Sequence, residues 1–499
     1  MEILALGHSC YLLEMTPSDG AEPVRILADP WLSDHVVGDV QGRFPRLRFE
    51  LESLKPLHGV FVSHAHTDHL DPYSLIRLWR ELDPRPALLL PESLRFLGAL
   101  LREFLQDVEI VFLADRQAIS FHGLSVSGFF NPETAPTNED DVMAFVARND
   151  REVFLSESDA VFPFYHPEGR DFIASLFEGR PAETICYLTT KNEGDATMSM
   201  LAARDGEDRM RRLDQSVERT YDEIQQMYTP VDEGVDDLWQ DTRLVRLVGG
   251  QGICYPQQLD TEWNRVLFPI RLSDRVRMER EIAEQCGCLH QIEELIPGAI
   301  HRVLSGGEVE RRSWESVEPL DNEAEREFAP QVEVFEDFPT APLHDELRDR
   351  DEQRRRILEC LNERFLPHLI GSRDPPVEHL LAAQAGEHRV RCRFGTTESF
   401  EEVDFRITFE RLKFEVVPAG RDAHETYWAN DLEDFFDGRC DEFSTICRHP
   451  LPSIIERFWR CLGLPYLNND FVEKKLRLHF ERALNGESSE SWVLNFYRP

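Results

Sequence analysis

The sequence predicts an α/β fold, and three observations carry that reading. Short apolar runs of strand character recur through the first half of the chain. Helical stretches, with apolar residues three and four positions apart, are interleaved with them. One of the runs stops abruptly at a polar loop crowded with imidazoles.

Taken in order, Ile3 to Leu6 and Cys10 to Leu13 read as a strand pair around the turn Gly7-His8-Ser9, and Val24 to Ala28 follows, ending at Asp29-Pro30-Trp31-Leu32. Gly59 to Val62 is a further short strand that leads into Ser63 and the histidine cluster, the kind of strand-to-loop junction where active sites are commonly built. Leu75 to Leu82 and Pro91 to Phe104 have helical spacing. Ile110 to Leu113, Leu124 to Phe129, Val142 to Ala147 and Val153 to Ser156 read as successive strands, and residues 198–228 as a long charged surface helix. Leu244 to Val248 is a late strand ending at Gly249-Gly250-Gln251-Gly252, which is either a structural turn or a phosphate cradle.

At 499 residues the chain is too long for one core. The composition divides it into a catalytic-sized unit over 1–304, an acidic, Pro-containing linker or wrapping segment over 305–345, and an α+β unit over 346–499. The last has helices near 349–369, 430–438, 451–462 and 469–485 and strands near 388–394 and 401–418. No internal repeat or low-complexity tract is visible.

A surplus of 93 acidic over 55 basic residues gives a formal net charge of -38, which on average repels nucleic-acid backbones and anionic membranes. Solvated acidic surface is the plain reading, with room for a local basic pocket that takes an anion. The chain opens on Met1-Glu2-Ile3-Leu4 without a basic segment and apolar core, and it has no run of about 18 apolar residues. No membrane insertion and a cytoplasmic location are therefore expected, with the ten cysteines reduced. Cys286-Gly-Cys288-Leu-His290 has metal-binding residue types but lacks a second pair, so buried or surface thiols are the plainer reading.

The segment Ser63-His64-Ala65-His66-Thr67-Asp68-His69-Leu70 packs three imidazoles and a carboxylate into six residues. Residues two apart in an extended loop face the same way, so His64 and His66 can hold one cation while Asp68 and His69 hold a second or act as acid and base. Imidazole with carboxylate suits zinc, iron or manganese, and geometry selects among them. The alternative is a histidine-rich turn that merely begins a helix.

This HxHxDH motif, with Gly7-His8-Ser9-Cys10 and Asp29-Pro30-Trp31-Leu32 before it, resembles the metallo-β-lactamase superfamily. Within that superfamily it resembles the lactonase-like branch and, more closely, the catalytic part of CMP-N-acetylneuraminate hydroxylases. The resemblance covers roughly residues 1–260. It implies a four-layer αββα sandwich with metals at one edge, Asp159 as the metal-bridging aspartate and His8 as an active-site histidine. Asp434-Phe435-Phe436-Asp437-Gly438-Arg439, Arg448-His449-Pro450 and Phe458-Trp459 are similar to the tail of the same hydroxylases and to a sterol-carrier-like module.

Departures from the pattern shape the functional expectation. Where the family has its third histidine the chain has Phe130-Asn131-Pro132-Glu133, so Asn131 stands in that place. No histidine follows Cys186 to Thr190 or Leu244 to Val248, leaving His122, His166, His290 and His301 as substitutes to be brought in by folding. His64, His66 and Asp159 then form the two-imidazole, one-carboxylate set of non-haem Fe(II) oxygenases. An oxygenase or hydroxylase with one or two irons, a small-molecule substrate and an external electron donor is the leading expectation. The resembled hydroxylases carry a Rieske centre, and no CxH plus CxxH pair exists here. Metal-dependent hydrolysis of a lactone, ester, amide or phosphodiester with Zn or Mn is the rival, and an inactive metal-binding scaffold the third. A sterol-carrier-like C-terminal unit would suit a lipid-like or carrier-tethered substrate, whereas plain structural support for the first unit is the simpler role.

Overall fold

The computed structural model describes residues 1–33, 35–36, 41–43, 47–130, 142–159, 183–190, 240–249, 253–254, 272–319, 341–342, 344–367, 386–420, 423–437, 439 and 469–487, with single helical positions inside 171–176 and 215–228. Asn131, His166, the Gly250-Gln251-Gly252 turn, most of 198–228, the expected helix at 451–462 and the Arg448-His449-Pro450 stretch lie outside the described residues.

The chain begins with β1 (Glu2–Gly7), β2 (Cys10–Met15), β3 (Val24–Ala28), β4 (Gly59–Phe61), α1 (Pro72–Glu81), β5 (Ala87–Pro91), α2 (Gly98–Phe104) and β6 (Ile110–Leu113). It continues through β7 (Ile119–Phe121), β8 (Leu124–Phe130), β9 (Met143–Arg148), β10 (Glu152–Ser156), β11 (Thr184–Thr189), β12 (Leu244–Val248), α3 (Leu272–Gln285), β13 (Gln291–Glu294), β14 (Ala299–Val303) and β15 (Val309–Ser313). Eight of these strands form one sheet in the order β15-β14-β1-β2-β3-β4-β5-β6, and seven form a second in simple chain order from β7 to β13. The neighbours β3, β4, β5 and β6 run parallel, as do β10, β11, β12 and β13.

The two sheets face each other across one core. Ile3, Ala5 and Leu13 from the first meet Val126, Phe145, Phe154 and Leu247 from the second. Phe61 and Phe145 join the sheets with ring centroids 4.5 Å apart, a contact worth about 0.5–1.5 kcal/mol beyond the area it buries. The opposite face of the first sheet buries Leu4, Leu6 and Leu12 under α1 and α2, and the opposite face of the second buries Phe129, Val146 and Tyr187 against Val276 and Ile282 of α3. Helix, sheet, sheet, helix is thus the order of layers. β1 is covered on both faces, which is why it reads as an unbroken apolar run and not as an alternating one.

One expectation needs correction. The stretch from Pro91 to Phe104 is not a single helix: Pro91 ends β5, Glu92–Leu97 is a 3-10 turn, and only Gly98–Phe104 is α-helical. The run Ala87-Leu88-Leu89-Leu90 is a buried parallel strand between β4 and β6, and a short apolar run of that kind shows no periodicity to separate it from a helix.

Toward the C-terminus, α4 (Arg350–Glu359) precedes a four-stranded sheet of β16 (Glu387–Thr396), β17 (Ser399–Thr408), β18 (Glu415–Pro418) and β19 (Glu425–Trp428), in the order β18-β17-β16-β19. α5 (Ala429–Phe436) follows it, tied to the start of α4 by Arg348, whose guanidinium lies 2.8 Å from Asp434 and 3.0 Å from Glu433. The final helix, α6 (Asn469–Leu484), packs on the first sheet's helical layer, where Val472, Leu476 and Phe480 join the same core as Leu75, Leu78 and Leu101. Likewise β15, in the stretch expected as a linker, is the edge strand of the first sheet. No helix among the described residues is long and apolar enough to cross a membrane.

Candidate metal centre

Four chain segments converge at one edge of the sandwich. The hairpin between β1 and β2 contributes His8, the end of β3 contributes Asp29, the loop after β4 contributes His64 to His69, and the loop after β10 contributes Ser158 and Asp159. The loop after β4 turns tightly because the His66 carbonyl accepts from the backbone N–H groups of His69 and Leu70. It then enters α1, whose N-cap Asp71 accepts from the N–H groups of Tyr73 and Ser74, with Pro72 at the first helical position. The loop does begin a helix, but the capping residue is Asp71 and not one of the histidines.

Asp29 is fully buried and holds this edge together. Its Oδ1 accepts from the Ser63 N–H at 2.7 Å, and its Oδ2 accepts from Ser63 Oγ at 2.8 Å and Ser158 Oγ at 2.7 Å. Oδ2 also lies 3.0 Å from His69 Nδ1. A carboxylate only accepts, so Nδ1 of His69 carries a proton and it is Nε2 that faces the site. The same reasoning fixes His64: the Ser63 hydroxyl spends its hydrogen on Asp29, so His64 Nδ1, 2.9 Å away, donates to it and turns Nε2 inward.

The inward atoms lie close together. His64, His69 and Asp159 each bring one ligand atom into a group spanning no more than 4.8 Å, and His8, Asp68 and His69 form a second such group that shares His69. His69 Nε2 is 3.2 Å from Asp159 Oδ2 and 3.7 Å from Asp68 Oδ2, and His8 Nε2 is 3.1 Å from Asp68 Oδ2. Nε2 of His64 and of His69 are buried without a hydrogen bond, a costly state for a polar atom unless something else binds it. His66 is in neither group, although its ring centroid is 4.2 Å from that of His64. His69 therefore stands with His64 and Asp159 in the position expected for His66.

The electrostatics are those of a cation site. Burial opposes a charge on His69, yet Asp159, Asp68 and Asp29 together hold its pKa well above the ordinary imidazole value. Burial likewise opposes ionisation of Asp68 and Asp159, but His69 together with His8 outweighs it in both, keeping them below the usual carboxylate range. His64 is pushed far down, first by burial and then by the neighbouring His69 and His66. Burial also takes His66 down to about 4, with His69 and Lys475 of α6 adding to it against Asp68 and Asp159. His64 and His66 kept neutral beside ionised carboxylates, and a His69 whose carboxylate surroundings favour positive charge at its inward edge, fit a divalent metal ion in the place a proton otherwise takes.

The other candidates lie elsewhere. His122 sits at the β7–β8 hairpin with its ring 5.1 Å from His58, which precedes β4 and so marks the end of that strand remote from His64. His290 meets the Tyr228 hydroxyl at 3.1 Å, and His301 pairs with Ile3 at the start of β1, away from His8. Among the described residues neither Cys286 nor Cys288 belongs to a ligand group. Thr190 and Gly249 stand directly after β11 and β12, and Ser9 Oγ lies 2.9 Å from Thr190 Oγ1 beside His8. Sequence reasoning missed the parts played by Asp29, Ser63 and Ser158. Asp29 had a signal, its place at the end of an apolar strand, whereas the two serines had none.

No protein-family model and no curated protein matches the sequence. Among solved structures, CmlA, a diiron β-hydroxylase from Streptomyces venezuelae, is similar at 17% identity and a TM-score of 0.35, over 59% of this chain and 52% of that one. YhfI from Bacillus subtilis, a metallo-β-lactamase fold protein, is similar at 10% identity and a TM-score of 0.29, over 63% and 99% of the two chains. Zn(2+)-bound PqqB from Methylobacterium extorquens is similar at 12% identity and a TM-score of 0.32, over 60% and 99%. The match spans about half the length of CmlA. The class of the chain follows from its own layers and loop: two sheets between helices, with the HxHxDH segment at the end of a central strand and an aspartate opposite, are the metallo-β-lactamase fold.

Proposed function

We propose that the chain is an iron-dependent oxygenase or hydroxylase of a small organic substrate, with its metal held by His64, His69 and Asp159. The observation that supports this reading is the donor set itself, two imidazoles and one carboxylate within 4.8 Å, the combination that leaves positions open on a non-haem iron. The second group, His8, Asp68 and His69, draws on the same inward Nε2 of His69, so a second ion beside the first would be held by His8 and Asp68 without it. Iron bound there would supply one-electron and dioxygen chemistry, with electrons from an external donor or from the substrate.

The chain's own residues do the rest. Asp29 and Ser63 fix the tautomers of His69 and His64, so both rings meet the ion without reorganising. Where a single ion is bound, His8 and Asp68, with Nε2 and Oδ2 3.1 Å apart, are the pair placed to give a proton to a substrate oxygen or take one from it. Trp31, fully buried, packs edge-on to His8 with centroids 5.0 Å apart and fixes its ring. Zn or Mn held by the same residues would instead supply hydrolytic chemistry toward a lactone, ester, amide or phosphodiester.

Metal analysis of protein purified without added metal, with oxygen consumption followed in the presence of a reductant, separates the two readings. Stoichiometric iron and reductant-dependent oxygen uptake are expected, both lost in His64→Ala. Stoichiometric zinc with no uptake would overturn the oxygenase in favour of the hydrolase.

A further inference from the structure

We infer that the outer face of the second sheet carries a separate binding site for a small organic phosphate, distinct from the metal centre. A groove of about 380 Å³ lies there, lined by Arg116, Arg148, Ser125, Ser127, Ser175 and Phe172 among others. Its floor follows from strand register. Arg148 on β9 is directly opposite Ser125 on β8, so the two side chains share a face, and Ser127, two residues along, shares it too. That face is the outer one, because Phe129 and Val146 of the same strands belong to the outer core.

Arg148 is half-buried, and among the described residues no carboxylate pairs with it. In a chain with a net charge of -38 and acidic partners in excess, a sheltered guanidinium turned toward an open groove is an unusual expense. Arg116 brings a second guanidinium, held by its Nε at 2.9 Å from Asp115 Oδ2 and lying over the Phe129 ring. Two guanidiniums with the hydroxyls of Ser125 and Ser127 match the several acceptor oxygens of a phosphate better than the two of a carboxylate. Phe172, stacked on Phe129 at 5.0 Å, gives an apolar wall for an organic body, and the volume is of small-ligand size. Asp171 also lines the groove, but it is exposed, and solvent screens its repulsion of an anion held by the arginines.

The groove is remote from the metal edge. The N–H of Met143 bonds to the Ser63 carbonyl beside His64, and Arg148 lies five residues further along the strand, roughly 17 Å away at ~3.4 Å per residue.

Calorimetric titration of the full-length protein with phenyl phosphate, inorganic phosphate and benzoate, at constant physiological ionic strength, tests the assignment. Phenyl phosphate is expected to bind saturably and more tightly than either of the others. The affinity should fall tenfold or more in Arg148→Gln and stay unchanged in Arg311→Gln, an exposed arginine elsewhere. Binding retained in His64→Ala supports the groove, whereas binding lost there assigns the anion to the metal centre and overturns the proposal. Equal binding by Arg148→Gln and wild type, equal binding of benzoate, or no saturable binding overturns it as well. Should Arg148→Gln lose its native circular dichroism, the Ser125→Ala/Ser127→Ala variant gives the same reading through a smaller loss of affinity.

Discussion

Asp29 serves four donors at once: the Ser63 N–H, the hydroxyls of Ser63 and Ser158, and His69 Nδ1. Its backbone is left-handed, with φ at 42°, a conformation that asparagine tolerates. Asp29→Asn should therefore keep the fold while removing the charge and one acceptor. The variant is expected to bind metal about 10- to 100-fold more weakly, the usual cost of losing a group that orients a ligand. Metal titration against a chromophoric chelator, with thermal unfolding as control, measures it, and wild-type affinity in a folded variant would deny Asp29 the orienting role. At this scale the sequence was legible where ligands are contiguous. His64, His66, Asp68 and His69 announce themselves within six residues, but the exchange of His66 for His69 beside Asp159 depends on how the loop turns at the His66 carbonyl. That turn is set by α1 and the sheet edge, not by spacing.

Most strands of the two sheets were visible as apolar runs because both faces of each central strand are covered, as in β1, β5 and β11. What the runs do not encode is which distant element covers them. The helix expected near 469–485 is there as α6, but its docking onto α1 and α2 is a contact between the two ends of the chain and leaves no local pattern. Its energetics separate cleanly. Phe480 is fully buried and stacks on Phe104 at 5.1 Å, so Phe480→Ala should cost about 3–5 kcal/mol of stability. Arg477 pairs with Glu103 at 2.7 Å on the surface, and Arg477→Ala should cost less than about 1 kcal/mol. Guanidinium unfolding of the two variants side by side checks the contrast. Similar midpoints for Phe480→Ala and wild type would mean that α6 is not part of the first unit's core.

Across the whole molecule the surplus of negative charge is the property read most directly from composition and least visible in any contact. Its 38 uncompensated charges repel one another in the folded state more than in the expanded chain, which lowers stability at low ionic strength. Salt also weakens the many exposed ion pairs, such as Arg355 with Glu352 and Glu359, but pairs so open to solvent contribute little, and a matched pair has no long-range field. The surplus wins, so sodium chloride should stabilise the protein. Raising it from ~0.02 M to ~0.2 M shortens the Debye length from roughly 20 Å to roughly 7 Å, and the midpoint of thermal unfolding should climb by a few degrees. Chloride is the right anion for the measurement, since phosphate would add any stabilisation from occupying the Arg148 groove. A midpoint that falls with sodium chloride would show that attractive pairs outweigh the net repulsion, and the acidic surplus would then be spread too thinly to act as a field.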